Sequence, residues 1–111
     1  MASSPAVLIV ESDILLRHPL AEYLRECGFK VYEAATGAEA RVMLQARQTA
    51  IDVVLADLMT EGSGFELRHW IMSQNRDIDV ILAGSIEKAV DEAGILCKDG
   101  PALARPNINI I

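Results

Sequence analysis

Asp52-Val53-Val54-Leu55-Ala56-Asp57 is the stretch on which the fold turns. Its apolar centre shows no alternation with polar residues. Such a run reads as a strand covered on both faces, as in a parallel sheet, because a strand with one wet face alternates. Val7-Leu8-Ile9-Val10-Glu11 repeats the pattern of an apolar run closed by an acid. Two such strands side by side and parallel bring Glu11 and Asp57 to one carboxyl edge, which is where open α/β sheets bind ligands. Two carboxylates there repel each other unless a cation or a proton lies between them. The pair is therefore a candidate metal and phosphoryl site.

Outward from these strands, helix and strand patterns alternate. Strand 1 is read over Ala6–Val10. Ser12 or Asp13 can cap the next helix, since a short oxygen-bearing side chain accepts from the free amides of its first turn. Leu16, Leu20, Leu24 and Cys27 recur every three or four residues as one apolar stripe, with Pro19 inside the helix and Gly28 at its end. Strand 2 follows over Phe29–Ala34. Thr36 and Glu39 have the spacing of a capping box, opening a second helix to Ala46 with Ala40, Met43 and Leu44 inward. Strand 3 is Asp52–Ala56. A loop with Gly62, Ser63 and Gly64 leads to a helix over Phe65–Ser73, anchored by Phe65 and Trp70, and strand 4 is Asp79–Ala83. A short helix capped by Ser85 is read over Ile86–Ala93, and a fifth strand over Ile95–Cys97. From Gly100 on the pattern is irregular: Pro101 and Pro106 bracket one turn, and Asn107 to Ile111 reads as short strand or tail. Alternating strands and helices imply right-handed crossovers and a mostly parallel sheet.

Composition limits the function. The chain has 111 residues, enough for one domain spanning 1–111 with 1–5 as an N-terminal tail and 100–111 as an irregular end. Half of it is hydrophobic, at 51%, so disorder is not expected. A formal charge of −6 argues against a nucleic-acid surface. No secretory leader pattern is present at the start. No stretch reaches the ~18 apolar residues of a membrane helix. The expected location is the cytoplasm, and Cys27 and Cys97, without C-x-x-C spacing, read as two buried thiols. His18 and His69 have no metal-ligand spacing around them and read as ordinary histidines. Gly62-Ser63-Gly64 lacks the lysine of a P-loop and reads as a turn.

Five segments then stand in order: Val7-Leu8-Ile9-Val10-Glu11-Ser12-Asp13, Gly28-Phe29-Lys30-Val31, Asp52 through Met59, Gly62-Ser63-Gly64-Phe65-Glu66-Leu67, and Leu96-Cys97-Lys98. Together they resemble the receiver domain of two-component response regulators, the CheY-like family, closely from Ala6 to Leu82 and loosely beyond. The resemblance implies a flavodoxin-like, doubly wound parallel sheet of order 2-1-3-4-5. It implies a signalling switch rather than an enzyme. Asp57 would accept a phosphoryl group from a histidine kinase or phosphotransfer protein. Mg²⁺ would sit on Glu11, Asp57, the carbonyl of Met59 and, through water, Asp13. Ser85 and Lys98 would grip the phosphoryl oxygens. Those residue types suit phosphoryl chemistry, since Mg²⁺ takes hard oxygen ligands and keeps waters, and a lysine acts on phosphate as a point charge.

The match departs from the family at several places. Ser12 stands where a second acid is expected, and a hydroxyl brings no charge. Strict alignment puts Gly84 at the switch hydroxyl position, one residue before Ser85. Asp99 follows Lys98 where the family has proline. Only fourteen positions separate Gly84 from Lys98, little more than the ~12 residues a helical crossover needs. Helix 4 is therefore expected to be shortened and helix 5 reduced or missing, leaving one face of the sheet partly bare and open to a partner or a second copy. The alternative is a degenerate receiver acting as a phosphorylation-independent interaction module. A haloacid-dehalogenase-type phosphatase is disfavoured because Met59 stands where its second aspartate belongs. A flavodoxin is disfavoured because no Ser/Thr-rich loop follows strand 1.

Overall fold

The computed structural model describes residues 5–46, 50–58, 64–74 and 77–108, with 86 and 99–108 described by backbone alone. Four strands form one parallel sheet in the order β2-β1-β3-β4. They are β1 (Ala6–Val10), β2 (Lys30–Ala34), β3 (Val53–Asp57) and β4 (Asp79–Ala83). The helices are α1 (Ile14–Glu26), α2 (Gly37–Gln45), α3 (Gly64–Ser73) and α4 (Ile86–Ile108). The parallel sheet is the one expected from the alternating pattern, and its four strands follow the flavodoxin-like order that the resemblance implies.

The central strands bury both faces, which is why they lack alternation. Every residue of β1 is buried, as are Val53 to Ala56 of β3. The pleat divides their side chains between two cores. Ala6, Leu8, Val10, Val54 and Ala56 face α2 and α3 with Ala40, Leu44, Leu67 and Ile71. Val7, Ile9 and Val53 face α1 and α4 with Ala21, Leu24, Ala93 and Leu96. At about 25 cal/mol per Å² of apolar surface, filling both faces is the main stabilising term.

Local chemistry sets the helix ends. Asp13 Oδ1 accepts the Leu15 amide at 2.9 Å, so Asp13 rather than Ser12 caps α1. Gly28, at φ 101°, turns the chain out of α1 in the left-handed region that glycine enters without strain. Thr36 caps α2 as expected, accepting the Glu39 amide at 3.1 Å, but the return bond of the box shifts by one residue: the Glu39 carboxylate accepts from the Ala35 amide at 2.6 Å. Phe65 is not an anchor; it is 61% exposed, and Leu67 and Ile71 carry α3 onto the sheet.

Three expectations for the last third are corrected. Ile95-Leu96-Cys97 is not a strand; it lies within α4. Leu96 is buried while Ile95 is 40% exposed, which fits a helix face and not a doubly covered strand. Ala89, Ala93 and Leu96 repeat at helical spacing, and that period wins over the short apolar run. The helix after β4 is not short either: it runs for 23 residues, through Pro101 and Pro106, over the segment read as irregular. Cys27 and Cys97 are not free thiols; they form a disulfide between the C-cap of α1 and α4, with Cα atoms 5.4 Å apart. Among the described residues no fifth strand adjoins β4, and no helix stands between α4 and the end of the description. Residues 79–82 are only half-buried, and Val80 and Leu82 are the ones that face α2 and α3.

Candidate functional site

Parallel register places the two acids together. Val10 of β1 is level with Ala56 of β3, so Glu11 and Asp57 follow at one edge of the sheet. They line one cavity with Ser85, Leu16, Leu20 and Ala89. β1 brings Glu11, β3 brings Asp57, α1 supplies the apolar wall, and the turn after β4 brings Ser85.

Asp57 is half-buried at the end of its strand. Among the described residues nothing hydrogen-bonds its carboxylate, which leaves its oxygens open to a reacting partner. Its carbonyl oxygen is tightly covered: a Cβ on Gly64 would stand 2.9 Å from it. Glycine at position 64 is what lets α3 start this close to the acid.

Glu11 is held in place from three sides. Its carboxylate accepts the Asp13 amide at 2.9 Å and the Ser12 hydroxyl at 3.4 Å. Its carbonyl accepts from Arg17 Nη1 at 2.9 Å, and its amide donates to Ala34 O. The same Arg17 donates through Nε to Glu33 Oε1 at 3.0 Å. Arg17 therefore locks the end of β1 to β2. No sequence motif marks this residue; its one signal is a cation beside the apolar stripe of α1, between Leu16 and Leu20. Burial pushes the Glu33 carboxyl up, but hydrogen bonds from Arg17 and His18 and the charges of His18 and Arg25 outweigh it and hold it below 4.5.

The remaining expected residues divide. Ser85 lies on the cavity and also caps α4, accepting the Lys88 amide at 3.1 Å. The cap uses a lone pair of Oγ and leaves the hydroxyl proton free to donate. Gly84 brings no side chain, and a Cβ there would meet Leu58 Cδ1 at 3.3 Å. Asp13 is exposed and has one oxygen engaged in its own cap. Lys98 is exposed on α4, thirteen residues beyond Ser85. At 1.5 Å rise per residue that is roughly 20 Å along the axis, so it does not join the acids. Met59 lies outside the described residues.

The donor set suits a hard divalent cation only in part. Two carboxylates share the edge, and Mg²⁺ commonly binds through one or two carboxylates, waters and a phosphate. Among the described residues no three His, Cys, Asp or Glu side chains converge as a closed metal cage. Such a site would keep most of its waters.

Residues 7–99 match the model of the response regulator receiver domain. The chain belongs to that family, whose members are signalling modules rather than enzymes. It is 37% identical over 82 residues to the two-component response regulator-like PRR37 of Oryza sativa subsp. indica, a match covering 71% of this chain but 11% of that protein. A response regulator receiver protein from Pseudomonas putida superposes with a TM-score of 0.67 at 28% identity, covering 86% of this chain and 82% of the other. The MaeR response regulator bound to beryllium trifluoride gives 0.64 at 29% identity, over 79% and 75% of the two chains. No described helix is long and apolar enough to cross a membrane.

Proposed function

We propose that this receiver accepts a phosphoryl group on Asp57 from a histidine kinase or phosphotransfer protein in the cytoplasm and signals through protein contacts. One observation carries the reading: Glu11, Asp57 and Ser85 line one cavity at the carboxyl edge of the sheet. An Asp57 carboxylate oxygen attacks the phosphorus of a phosphohistidine, the P–N bond breaks, and the imidazole leaves with the bonding pair. Glu11 and Asp57 would hold Mg²⁺, with Asp13 within reach only through water; the ion, when bound, offsets the charge of carboxylate and phosphate. Ser85 donates its hydroxyl proton to a phosphoryl oxygen while its lone pair continues to cap α4. Movement of Ser85 toward the phosphoryl group therefore pulls on a helix.

The test is acetyl phosphate with Mg²⁺, read by intact mass. One phosphoryl adduct is expected, absent in Asp57→Asn. Beryllium trifluoride, which a MaeR relative binds, should protect the Glu11 and Ser85 segments from exchange. The second reading, an interaction module without phosphorylation, draws on Ser12 in place of an acid and on the distance of Lys98. A folded protein that forms no adduct would establish it.

A further inference from the structure

We propose that Cys27 and Cys97 are a reversible redox site, reduced by a dithiol, that releases α4 from α1 and with it Ser85 from the Asp57 cavity. The disulfide closes a separation of 70 residues between the end of α1 and the middle of α4. Both cysteines are half-buried rather than sealed in the core, so a reductant can reach them.

The bond adds to a small apolar seam. Among the described residues α4 seats Ala93 and Leu96 in the core with Ala21 and Leu24. Toward its N-terminus the seam opens into an apolar groove of about 480 Å³ between Leu15, Pro19 and Tyr23 on one side and Val90 on the other. At Gly94 a Cβ would meet nothing within 4 Å beyond the adjoining residues and backbone of its own helix. The seam is thus stapled at Cys97, packed at Ala93 and Leu96, and open beside Val90 and Gly94. Interiors are normally close-packed, and an unfilled groove forfeits the contacts that would hold the helix unaided.

The same helix reaches the acids. Ser85 caps it and Ala89 lines the Asp57 cavity. One rigid rod connects Cys97 to Ser85, so a change at the bond shifts the cap.

The chemistry balances as ordinary exchange. A thiolate of the reductant attacks one sulfur, and the Cys27–Cys97 bond breaks to give a mixed disulfide and one cysteine thiolate. The second thiol of the reductant displaces the other cysteine. Two electrons and two protons pass to the protein, and the reductant leaves as its own disulfide. Disulfides in a reducing cytosol are usually transient or redox-sensing, so the lability of this one follows from the cytoplasmic location proposed above. The effect on phosphorylation rests on the function proposed above; the effect on α4 does not.

The test uses the full chain, air-oxidised or treated with dithiothreitol, read by alkylation mass and hydrogen exchange. Oxidised protein should take up no iodoacetamide, and reduced protein should take it up on both cysteines. Reduction should speed exchange of residues 86–98 by about tenfold or more while β1 and β3 stay protected. The melting temperature should fall by roughly 10 °C. Cys97→Ser should show the fast exchange with or without oxidant. With acetyl phosphate, the adduct of the reduced protein should decay several-fold faster. Free thiols in the oxidised protein, unchanged exchange in α4, or loss of protection across the whole sheet would each overturn the redox site. Absence of an adduct in both states would sink the proposed phosphorylation and leave the exchange result to decide the redox site.

Discussion

Arg17 does more for the site than its distance from the reacting acid suggests. Its guanidinium spans the carbonyl of Glu11 and the carboxylate of Glu33, with its side chain 13% exposed and that of Glu33 18%. Truncating it leaves a half-buried carboxylate short of its best donor and a strand-end carbonyl unsatisfied. Arg17→Ala is expected to cost ~1–3 kcal/mol of stability, measured by urea unfolding at neutral pH. The pH dependence follows from the direction of the Glu33 shift. Its folded value lies below the ordinary 4.5, so its contribution is complete above that value and fades as pH falls through the lower folded one. The gap between wild type and Glu33→Gln should therefore narrow as pH falls below the ordinary carboxylate range, and a gap that stayed undiminished throughout the acid titration would refute the assignment. Asp79 has the opposite sign: burial and the nearby Asp77 charge raise its pKa. Its ionisation opposes folding, so Asp79→Asn should gain slightly at neutral pH and nothing in acid. Asp57 and Glu11 were legible as a pair because strand ends are set by local pattern. Arg17 was not legible, because its value depends on β2 lying beside β1.

The two ends of α4 show what sequence could and could not supply at the scale of elements. Ser85 was readable as a cap because capping is a property of residues three apart, and the Lys88 amide finds it. The helix beyond was not readable, because Ile95-Leu96-Cys97 satisfies a strand pattern and a helix face equally over so short a span. Lys98 stood out because Leu96-Cys97-Lys98 resembles the end of a receiver's fifth strand, and that segment is helix here. Placement on α4 separates Lys98 from the acids. Lys98→Ala should therefore leave the rate of adduct formation with acetyl phosphate within about twofold, since a surface lysine roughly 20 Å down a helix is screened from the site. A loss of tenfold or more would show that Lys98 approaches Asp57. Gly94 gives an independent measure of the helix itself. It sits inside α4 with open space where a Cβ would project. Gly94→Ala should therefore stabilise the protein by ~0.5–1 kcal/mol through lost unfolded-state entropy, provided the segment is helical. A decrease on urea unfolding would argue against a helix there.

At the scale of the molecule, among the described residues the sheet stops at β4, and that limit has a signature in backbone protection. The Asp79 amide donates to Asp52 O, and Ala83 O accepts from Leu58, so residues 79, 81 and 83 turn their backbone groups toward β3. In a parallel strand the intervening residues turn theirs the other way. Among the described residues no strand lies on that side, so the amides of Val80 and Leu82 have no ladder partner. An edge of this kind is where another chain would add, and natural sheets usually cover or charge it. Here the side chains of Val80 and Leu82 remain half-buried, so the edge is neither wet nor sealed. Hydrogen exchange should alternate along β4, slow at Ile81 and Ala83 and faster by about a hundredfold or more at Val80 and Leu82. A sheet of order 2-1-3-4-5 would abolish the alternation at every protein concentration. A second copy adding along the same edge would abolish it only as concentration rises, with the dimer appearing together with the protection. The experiment thus separates the four-stranded sheet from the five-stranded one that the family resemblance implies. It does so without reference to phosphorylation, because the ladder depends only on which strand lies beyond β4.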